Sequence, residues 1–292
     1  MSNYLCIYHG NCADGFGAAW SVKKYFDEKG QKIDFHAGVY QQSPPNVTDM
    51  IVIIVDFSYK QSVIEEMAKS AKSILIIDHH KSAAEDLSEF DEPPLRRDGW
   101  IPNSGVYALF DMNKSGAMLA WEYFHKNKAP KLIEHIQDRD LWMFKLDGTR
   151  EIQANVFSYP YDFEEWDKLM LSPVENLIND GKVIERKHFK DIKEFIEVAE
   201  MRISIWGHIV PCLNANYFWS SDAGHIMTKG YKFAVCWWDT PDGRVFSLRS
   251  DEDGIDVSEI AKQYGGGGHK NAAGFKVRHS DLVSLNLLPF AR

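Results

Sequence analysis

Cysteine is scarce in this chain of 292 residues, and no two of the four cysteines have the CxxC spacing of a zinc ribbon. Cys6 and Cys236 lie in apolar, strand-like runs of the sequence. Disulfide frameworks are typical of small secreted domains, and structural zinc sites need closely spaced thiolates. We therefore expect reduced thiols in the core of a cytoplasmic protein rather than a disulfide scaffold or a zinc ribbon.

Long hydrophobic runs are also lacking. The longest strongly apolar run is Met50–Val55, which is far shorter than the ~20 residues that a membrane-spanning helix needs. The N-terminal sequence MSNYLCIYHG has no basic segment followed by an apolar stretch and a small-residue cleavage site, so it does not have the pattern of a signal peptide. The sequence thus predicts no membrane partner.

Positive charge is in deficit, because 33 lysines and arginines face 42 aspartates and glutamates and leave a net charge of −9. This balance argues against a protein that coats long duplex nucleic acid through its phosphates. It is compatible with an enzyme whose small site is made locally positive by bound divalent cations. With 45% hydrophobic residues, the composition is that of a globular protein with one large domain or two ordinary ones.

Short apolar runs alternate with helical patterns over residues 1–150. This alternation predicts an α/β domain with a mostly parallel, doubly wound sheet. The predicted strands are Tyr4–Tyr8, Phe35–Tyr40, Ile51–Val55, Ile74–Ile77 and Val106–Phe110, and the predicted helices are Gly17–Lys29, Gln61–Lys72 and the segment that Ser115 caps through Phe124.

The pattern changes twice in the rest of the chain. Residues 151–207 are predicted to be a helical linker, in which a long helix begins at Ser172-Pro173 and ends at Gly207. Residues 208–292 are predicted to be a smaller α+β lobe. Its expected strands are His208–Leu213, Tyr231–Trp238, Arg244–Arg249 and Ala273–Val277, and its expected helix is Val257–Tyr264.

Three polar clusters directly follow three predicted strands of the first domain, namely His9–Asp14, Asp56 and Asp78–His80. A fourth cluster, Asp138-Arg139-Asp140, ends a helical stretch. The carboxyl ends of parallel strands share one edge of a sheet, so the three clusters should converge. Mixed carboxylates and imidazoles suit Mn²⁺, Fe²⁺ or Zn²⁺ better than Ca²⁺. A pair of metals needs about six ligands with one bridging carboxylate, and five candidates are His9, Asp14, Asp56 (the expected bridge), His79 and Asp138.

Each of these residues also has a structural explanation when it is taken alone. Asp14-Gly15 is a common turn sequence, and Asp56 could cap a helix that starts near Ser58. A single His9 is more often a surface or core histidine than a ligand. The joint occurrence of such residues at three successive strand ends favours the metal site.

Six ordered segments of the chain resemble the motifs of the DHH phosphoesterases and their companion DHHA1 domain. They are HGNCADG (His9–Gly15), VIIVDFS (Val52–Ser58), IIDHH (Ile76–His80), QDRDLW (Gln137–Trp142), SLRS (Ser247–Ser250) and GGGGHKNAAGF (Gly265–Phe275).

The resemblance implies a two-metal hydrolase of phosphate esters or anhydrides, a family that includes single-strand exonucleases, nanoRNases, cyclic-dinucleotide phosphodiesterases and pyrophosphatases. Manganese is the usual metal of the family, with Mg²⁺ or Co²⁺ as expected substitutes. By motif, His9 and Asp56 would hold one ion and Asp14, Asp56, His79 and Asp138 the other. His80 would act beside the scissile phosphate, and Asp78 would orient a histidine.

One position departs from the family pattern. The first motif commonly contains two aspartates spaced as DxDG, whereas this chain has Cys12 in the sequence CADG, and the spacing from His9 is one residue longer. Cys12, Asn11 or water would have to replace the missing carboxylate. The first metal is therefore expected to bind more weakly than the second or to be of a different kind.

The glycine run Gly265–Gly268 suggests a second binding element in the small lobe. Backbone N–H groups of consecutive glycines can approach a phosphate closely, whereas the alternative is a flexible loop. Arg249 offers a guanidinium fork suited to phosphate. The predicted substrate-binding residues are Arg249, Gly266, Gly267, Gly268, His269 and Asn271.

The sequence therefore predicts a Mn²⁺-dependent phosphodiesterase that hydrolyses short single-stranded oligonucleotides or dinucleotides to nucleoside monophosphates, without binding long duplex nucleic acid. One alternative is a phosphomonoesterase or pyrophosphatase that uses the same site. The other is a nucleotide-binding protein whose metal site is impaired at Cys12.

Overall fold

The computed structural model describes residues 3–40, 42–94 and 99–291, and the chain forms two compact units, Met1–Glu185 and Arg186–Arg292. The segment 151–207, expected to be a linker, is divided between them. Ile152, Trp166 and Leu177 pack with Phe16 in the core of the first unit. The later residues of the segment belong to the second unit, so the predicted domain bounds differ from those of the compact units.

A five-stranded parallel sheet, with strand order β2-β1-β3-β4-β5, forms the centre of the first unit. Its strands begin and end close to the predicted positions, which confirms the predicted α/β class. They are β1 (Tyr4–His9), β2 (Asp34–Gly38), β3 (Ile51–Val55), β4 (Ser73–Asp78) and β5 (Gly105–Phe110).

Helices cover both faces of this sheet because its central strands are apolar on both sides. In β3, Val52 and Ile54 face one apolar core, and Ile53 and Val55 face another. The helices are α1 (Ala13–Glu28), α2 (Gln61–Ala68), α3 (Lys81–Asp86), α4 (Gly116–Phe124), α5 (Lys131–Asp140), α6 (Thr149–Val156), α7 (Phe163–Leu171) and α8 (Val174–Ala199), of which α8 continues into the second unit.

The second unit contains a six-stranded mixed sheet with strand order β10-β11-β9-β8-β7-β6, and α10 packs against its core. This is the α+β architecture that the sequence predicts. Its elements are β6 (Met201–Ile205), β7 (His208–Asn214), α9 (Ser220–Met227), β8 (Ala234–Thr240), β9 (Gly243–Arg249), α10 (Val257–Gln263), β10 (Gly267–His269) and β11 (Ala272–Val277).

The long helix α8 ends at Ala199, and the prediction that it continues to Gly207 is wrong. Residues Met201–Ile205 instead form strand β6, which pairs with β7. Trp206 and Gly207, with φ of 49° and 78°, form the two-residue turn between the strands. Such tight hairpins need positive φ at both turn positions, and Gly207 meets that need without strain.

Among the residues that the structure describes, no helix has both the length and the apolar character needed to cross a membrane.

Candidate metal centre

Three neighbouring strands of the parallel sheet bring polar side chains together at their carboxyl ends. His9 is the last residue of β1, Asp56 directly follows β3, and Asp78 is the last residue of β4. β1 and β3 flank the point where the strand order reverses, which is where open α/β sheets bind ligands. The three clusters therefore meet at one edge, as the sequence pattern predicts.

Asp56 lies at the centre of this cluster. Its Oδ1 is 3.0 Å from Nε2 of His79, and its Oδ2 is 3.5 Å from Nδ1 of His9. Asp56 is 1% exposed, and neither of its carboxylate oxygens has a hydrogen bond of normal geometry with any described residue. A buried carboxylate that faces a different imidazole with each oxygen is suited to bridge two metal ions.

Asp14, in the first turn of α1, reaches both the cluster and a distant helix. Its two carboxylate oxygens accept hydrogen bonds from the backbone N–H groups of Gly116 and Ala117, at 2.6 and 3.0 Å. Its Oδ2 is also 3.6 Å from Nε2 of His79. The N-terminus of α4 therefore holds the carboxylate of Asp14 in place beside His79.

Asp78 orients His80. The Oδ1 atom of Asp78 lies 2.7 Å from Nδ1 of His80 and also accepts a hydrogen bond from the backbone N–H of His79 at 2.7 Å. Because a carboxylate only accepts, Nδ1 of His80 must carry the proton of this hydrogen bond. The contact fixes the ring orientation and assigns the lone pair of neutral His80 to Nε2.

Asp138 lies outside the cluster, and Asp140 lies within it. Oδ2 of Asp140 is 3.6 Å from Nε2 of His79, and a metal can be held jointly by Asp14, His79 and Asp140. Asp138 instead accepts hydrogen bonds from Lys145 N, Leu146 N and Thr149 Oγ1, at 2.8, 3.0 and 2.6 Å. The expectation of a ligand at Asp138 is corrected to Asp140, since the carboxylate of Asp138 is already engaged by this loop.

The cluster concentrates negative charge in a buried place. Burial acts to raise the pKa of Asp56, but the imidazoles of His79 and His9 hold that pKa well below its usual range. Burial, followed by the charges of neighbouring aspartates, raises the pKa of Asp14. Burial acts to lower the pKa of His79, but Asp140 and the other two carboxylates raise it well above its ordinary value. The site therefore favours cationic partners.

These residues fit the divalent metals that the resemblance implies. Carboxylate and imidazole are the ligand types that Mn²⁺, Fe²⁺ and Zn²⁺ accept. Both oxygens of Asp56 and Oδ2 of Asp140 are buried without a hydrogen bond among the described parts of the chain. Buried carboxylate oxygens are costly unless a cation or a donor meets them, and a coordinated metal would satisfy all three.

Cys12 stands beside His9, as the departure from the family pattern suggests. Its sulfur, an imidazole nitrogen of His9 and an oxygen of Asp56 all lie within 4.8 Å of one another. Burial raises the pKa of the Cys12 thiol, which disfavours the thiolate form that binds metals. Cys12 is thus placed where a metal ligand could act, but its thiol should bind a metal ion less readily than a carboxylate would.

Gly116 makes a close approach to Asp56 that no pattern in the sequence indicates. A Cβ atom on Gly116 would lie 2.4 Å from Cβ and 2.6 Å from Oδ1 of Asp56. Replacing Gly116 by alanine is therefore expected to displace Asp56 and to weaken Mn²⁺ binding by roughly ten- to a hundredfold, the range seen when a residue supporting a metal ligand is changed. Isothermal titration calorimetry with Mn²⁺ measures the effect.

The matched control is Gly30→Ala at the end of α1, where a Cβ would meet nothing within 4 Å but φ is +62°. This variant should lose some stability through backbone strain and keep its Mn²⁺ affinity. Equal Mn²⁺ affinity in Gly116→Ala and the native protein would contradict the role of Gly116.

In the second unit, Arg249 ends β9 and is held by neighbouring groups. Its Nη1 donates to Ser247 Oγ and to the carbonyl of Leu248, at 3.0 and 2.9 Å, and its Nε donates to Ser221 Oγ at 3.3 Å. These contacts fix the direction of the guanidinium fork.

The glycine run is part of a hairpin, so it is not a flexible loop. Gly267–His269 forms β10, in which Gly267 pairs with Gly274 and His269 with Ala272 of β11. A Cβ on Gly266 would lie 2.1 Å from the carbonyl oxygen of Gly274, and Gly268 has φ of 141°. Close strand packing therefore requires glycine here independently of any phosphate.

The side chain of Asn271 makes hydrogen bonds within the same region of the fold. Its side-chain amide donates to Ser250 Oγ at 2.9 Å and also to the carbonyl of Asp251. Because an amide group has two N–H donors, both are used inside the protein. The expectation that Asn271 offers donors to a substrate is therefore at odds with its observed contacts.

Comparisons with known sequences match both the C-terminal part and the whole chain. The sequence model of the DHHA1 domain matches residues 223–286. An uncharacterized protein of Acanthamoeba polyphaga mimivirus is 32% identical over 297 aligned residues, which cover 92% of this chain and 66% of that protein. The chain thus spans slightly less than two thirds of the length of this relative.

Comparisons with solved structures give two matches over nearly the whole chain. RecJ from Thermus thermophilus, determined in complex with Mn²⁺, has a TM-score of 0.50 and 11% identity, over 97% of this chain and 50% of that one. PggH of Vibrio cholerae, a pGpG-specific phosphodiesterase, has a TM-score of 0.47 and 16% identity, over 97% and 95% of the two chains. At these identities the likeness to RecJ shows the fold alone.

Proposed function

We propose that the chain is a DHH phosphoesterase with a C-terminal DHHA1 domain, whose sequence model matches residues 223–286, and that it is a manganese-dependent phosphodiesterase. Its substrates would be short single-stranded oligonucleotides or dinucleotides, which it hydrolyses to nucleoside monophosphates. The observation that carries the proposal is the buried carboxylate of Asp56, placed between the imidazoles of His79 and His9 at the edge of the parallel sheet.

The side chains divide into two ligand sets that share Asp56. His9 and Asp56, with Cys12 beside them, would hold one ion, and Asp14, Asp56, His79 and Asp140 would hold the other. The ions would supply an activated water molecule and charge neutralisation at the phosphate. Manganese is proposed because the ligands are carboxylates and imidazoles, and because RecJ, which has the same fold, was determined with Mn²⁺.

The role of His80 follows from its contact with Asp78. The carboxylate of Asp78 accepts the proton of Nδ1, so in the doubly protonated form of His80 the second, exchangeable proton is on Nε2. His80 in that form can donate the Nε2 proton to the oxygen that leaves phosphorus. Asp78 acts through His80 as a positioning residue.

The second unit is proposed to bind the part of the substrate that does not react. If Arg249 holds a phosphate there, Arg249→Ala loses a charge-assisted hydrogen bond worth ~1.5–3 kcal/mol. The kcat/KM for a dinucleotide should then fall by roughly ten- to a hundredfold. Hydrolysis of methyl p-nitrophenyl phosphate, which has no second nucleotide, should change little.

Arg278→Ala is the matched control, because the Arg278 side chain is 83% exposed. It should leave both substrates unaffected. Equal losses on both substrates in Arg249→Ala would point to structural damage or to a direct part in bond cleavage, and no loss on either would remove Arg249 from substrate binding.

The activity itself is tested by incubating the purified protein and Mn²⁺ with pApA, a longer single strand, cyclic di-AMP and pyrophosphate. Chromatography of the products should show AMP from pApA, no product in excess EDTA, and recovery when Mn²⁺ is restored. Mg²⁺ and Co²⁺ are tested as substitutes. Orthophosphate as the only product would favour the pyrophosphatase alternative, and nucleotide binding without turnover at any metal concentration would favour the impaired-site alternative.

A further inference from the structure

The loop that follows Asp140 has an unusual backbone. Trp142 and Phe144, two large aromatic residues, have φ of 57° and 48°. This left-handed region is unfavourable for residues other than glycine, and such conformations persist only where the surrounding structure enforces them. Strained residues of this kind cluster at ligand-binding sites, so the strain indicates a candidate binding site beside the loop.

Asp138 is the group that enforces the loop. Its carbonyl oxygen accepts hydrogen bonds from the backbone N–H groups of Met143 and Phe144, at 2.9 and 3.2 Å. Its carboxylate accepts from Lys145 N, Leu146 N and Thr149 Oγ1. A single buried residue therefore fixes the path of the chain from the end of α5 to the start of α6.

The result is a stack of two guanidinium groups and two aromatic rings. The guanidinium of Arg139 lies 4.1 Å from the ring centroid of Trp142, and that of Arg150 lies 3.7 Å from the ring centroid of Phe144. The two rings meet edge to face, with centroids 5.0 Å apart. In a protein with a net charge of −9, this arrangement places two cationic guanidinium groups on the faces of two aromatic rings.

A cavity of about 340 Å³ lies against this stack and is lined by residues Phe144–Glu151. Its volume falls within the roughly 300–1,000 Å³ of small-molecule sites. Phe144 is half-buried and Arg150 is exposed, so a ligand in the cavity can reach both. Phe144 is four positions after Asp140, so the Cα atoms of the two residues are at most ~14 Å apart. The cavity is therefore close to the candidate metal ligands.

We propose that Phe144 and Arg150, with Trp142 and Arg139 behind them, form a subsite for one nucleotide of the substrate. Aromatic rings and guanidinium planes stack on nucleobases, and guanidinium forks bind phosphate oxygens. The subsite rests on the proposed phosphodiesterase function, and it gives that function a preference for substrates that contain bases. Asp138 is its positioning residue.

The test compares the binding of AMP and ribose 5-phosphate, which differ by the base, to the Mn²⁺-loaded protein by calorimetry. Stacking of a base should make the affinity for AMP about 5- to 100-fold higher in the native protein. Phe144→Leu should reduce this ratio towards one, and Phe144→Tyr should keep it. Arg150→Ala should weaken both ligands roughly tenfold or more, whereas Arg186→Ala, which removes an exposed arginine of α8, should change neither.

An AMP preference that is unchanged in Phe144→Leu would overturn the subsite, and so would native protein that binds the two ligands equally. Because Arg150 is exposed, the variant Arg150→Ala should fold normally. It therefore tests the subsite even if the Phe144 variants fail to fold. Binding does not require turnover. A Phe144-dependent preference in a protein that does not cleave dinucleotides would support the subsite and contradict the proposed function, and cleavage with no such preference would do the reverse.

Discussion

Replacing Asp56 by asparagine is expected to abolish both Mn²⁺ binding and phosphodiester hydrolysis. The two carboxylate oxygens of Asp56 face His79 and His9 at 3.0 and 3.5 Å, so the substitution removes the one ligand that both ion sites share. A metal ion contributes several kcal/mol to stabilising the charge of the transition state. The kcat/KM for pApA should fall about a thousandfold or more, and calorimetry should detect no Mn²⁺ binding.

Asp49→Asn is a matched control for this substitution. Asp49 has the same left-handed backbone as Asp56, with φ of 59° against 52°, but it is exposed. Asparagine tolerates this conformation as well as aspartate does. Asp49→Asn should therefore keep full Mn²⁺ affinity and activity, and an Asp56→Asn protein that turns over normally would refute the two-metal site.

Asparagine substitutions at Asp138 and Asp140 are expected to have opposite effects. Asp140→Asn removes a carboxylate 3.6 Å from Nε2 of His79, so Mn²⁺ affinity and activity should be lost while the metal-free protein keeps or gains thermal stability. The gain is expected because burial, with the charge of Asp56, raises the pKa of Asp140, which means that its ionised form opposes folding. Thermal denaturation in EDTA and Mn²⁺ titration measure the two effects.

Asp138→Asn should instead destabilise the fold by ~2–3 kcal/mol. The N–H group of the asparagine side chain would face one of the donors whose hydrogen bond the carboxylate accepts, and that hydrogen bond would be lost. Mn²⁺ affinity should change far less than in Asp140→Asn. Loss of metal binding in Asp138→Asn, together with retention in Asp140→Asn, would restore the assignment made from the motif.

The stability difference at Asp138 should depend on pH. Burial acts to raise its pKa, but the hydrogen bonds from Thr149, Lys145 N and Leu146 N lower it below the ordinary value. A group with a lowered pKa in the folded state contributes its stability above the unfolded pKa of ~3.9 and loses it as the pH falls through the folded value. The stability difference between the native protein and Asp138→Asn should therefore begin to narrow as the pH falls below about 4.

The fold around the strands was predictable because their sequences have few alternatives. Ile51–Val55 is β-branched throughout, and such a run is stable only as a strand buried on both faces. The end of α8 was not predictable in this way. Ile196, Ala199 and Ile203 have helical spacing, while Ile203 and Ile205 also alternate as in a strand. Only the pairing of β6 with β7 decides between the two periods.

The sequence alone places His9, Asp56 and the Asp78–His80 triplet at one sheet edge, because parallel strands end on the same side. It did not determine which aspartate of Asp138-Arg139-Asp140 belongs there. Residues two apart on a helix are rotated by about 200° around its axis and so point in nearly opposite directions, and only the packing of α5 decides which one faces His79. The contact of Asp14 with Gly116, 102 residues away, likewise depends on the tertiary structure, since no local pattern records how α1 meets the N-terminus of α4.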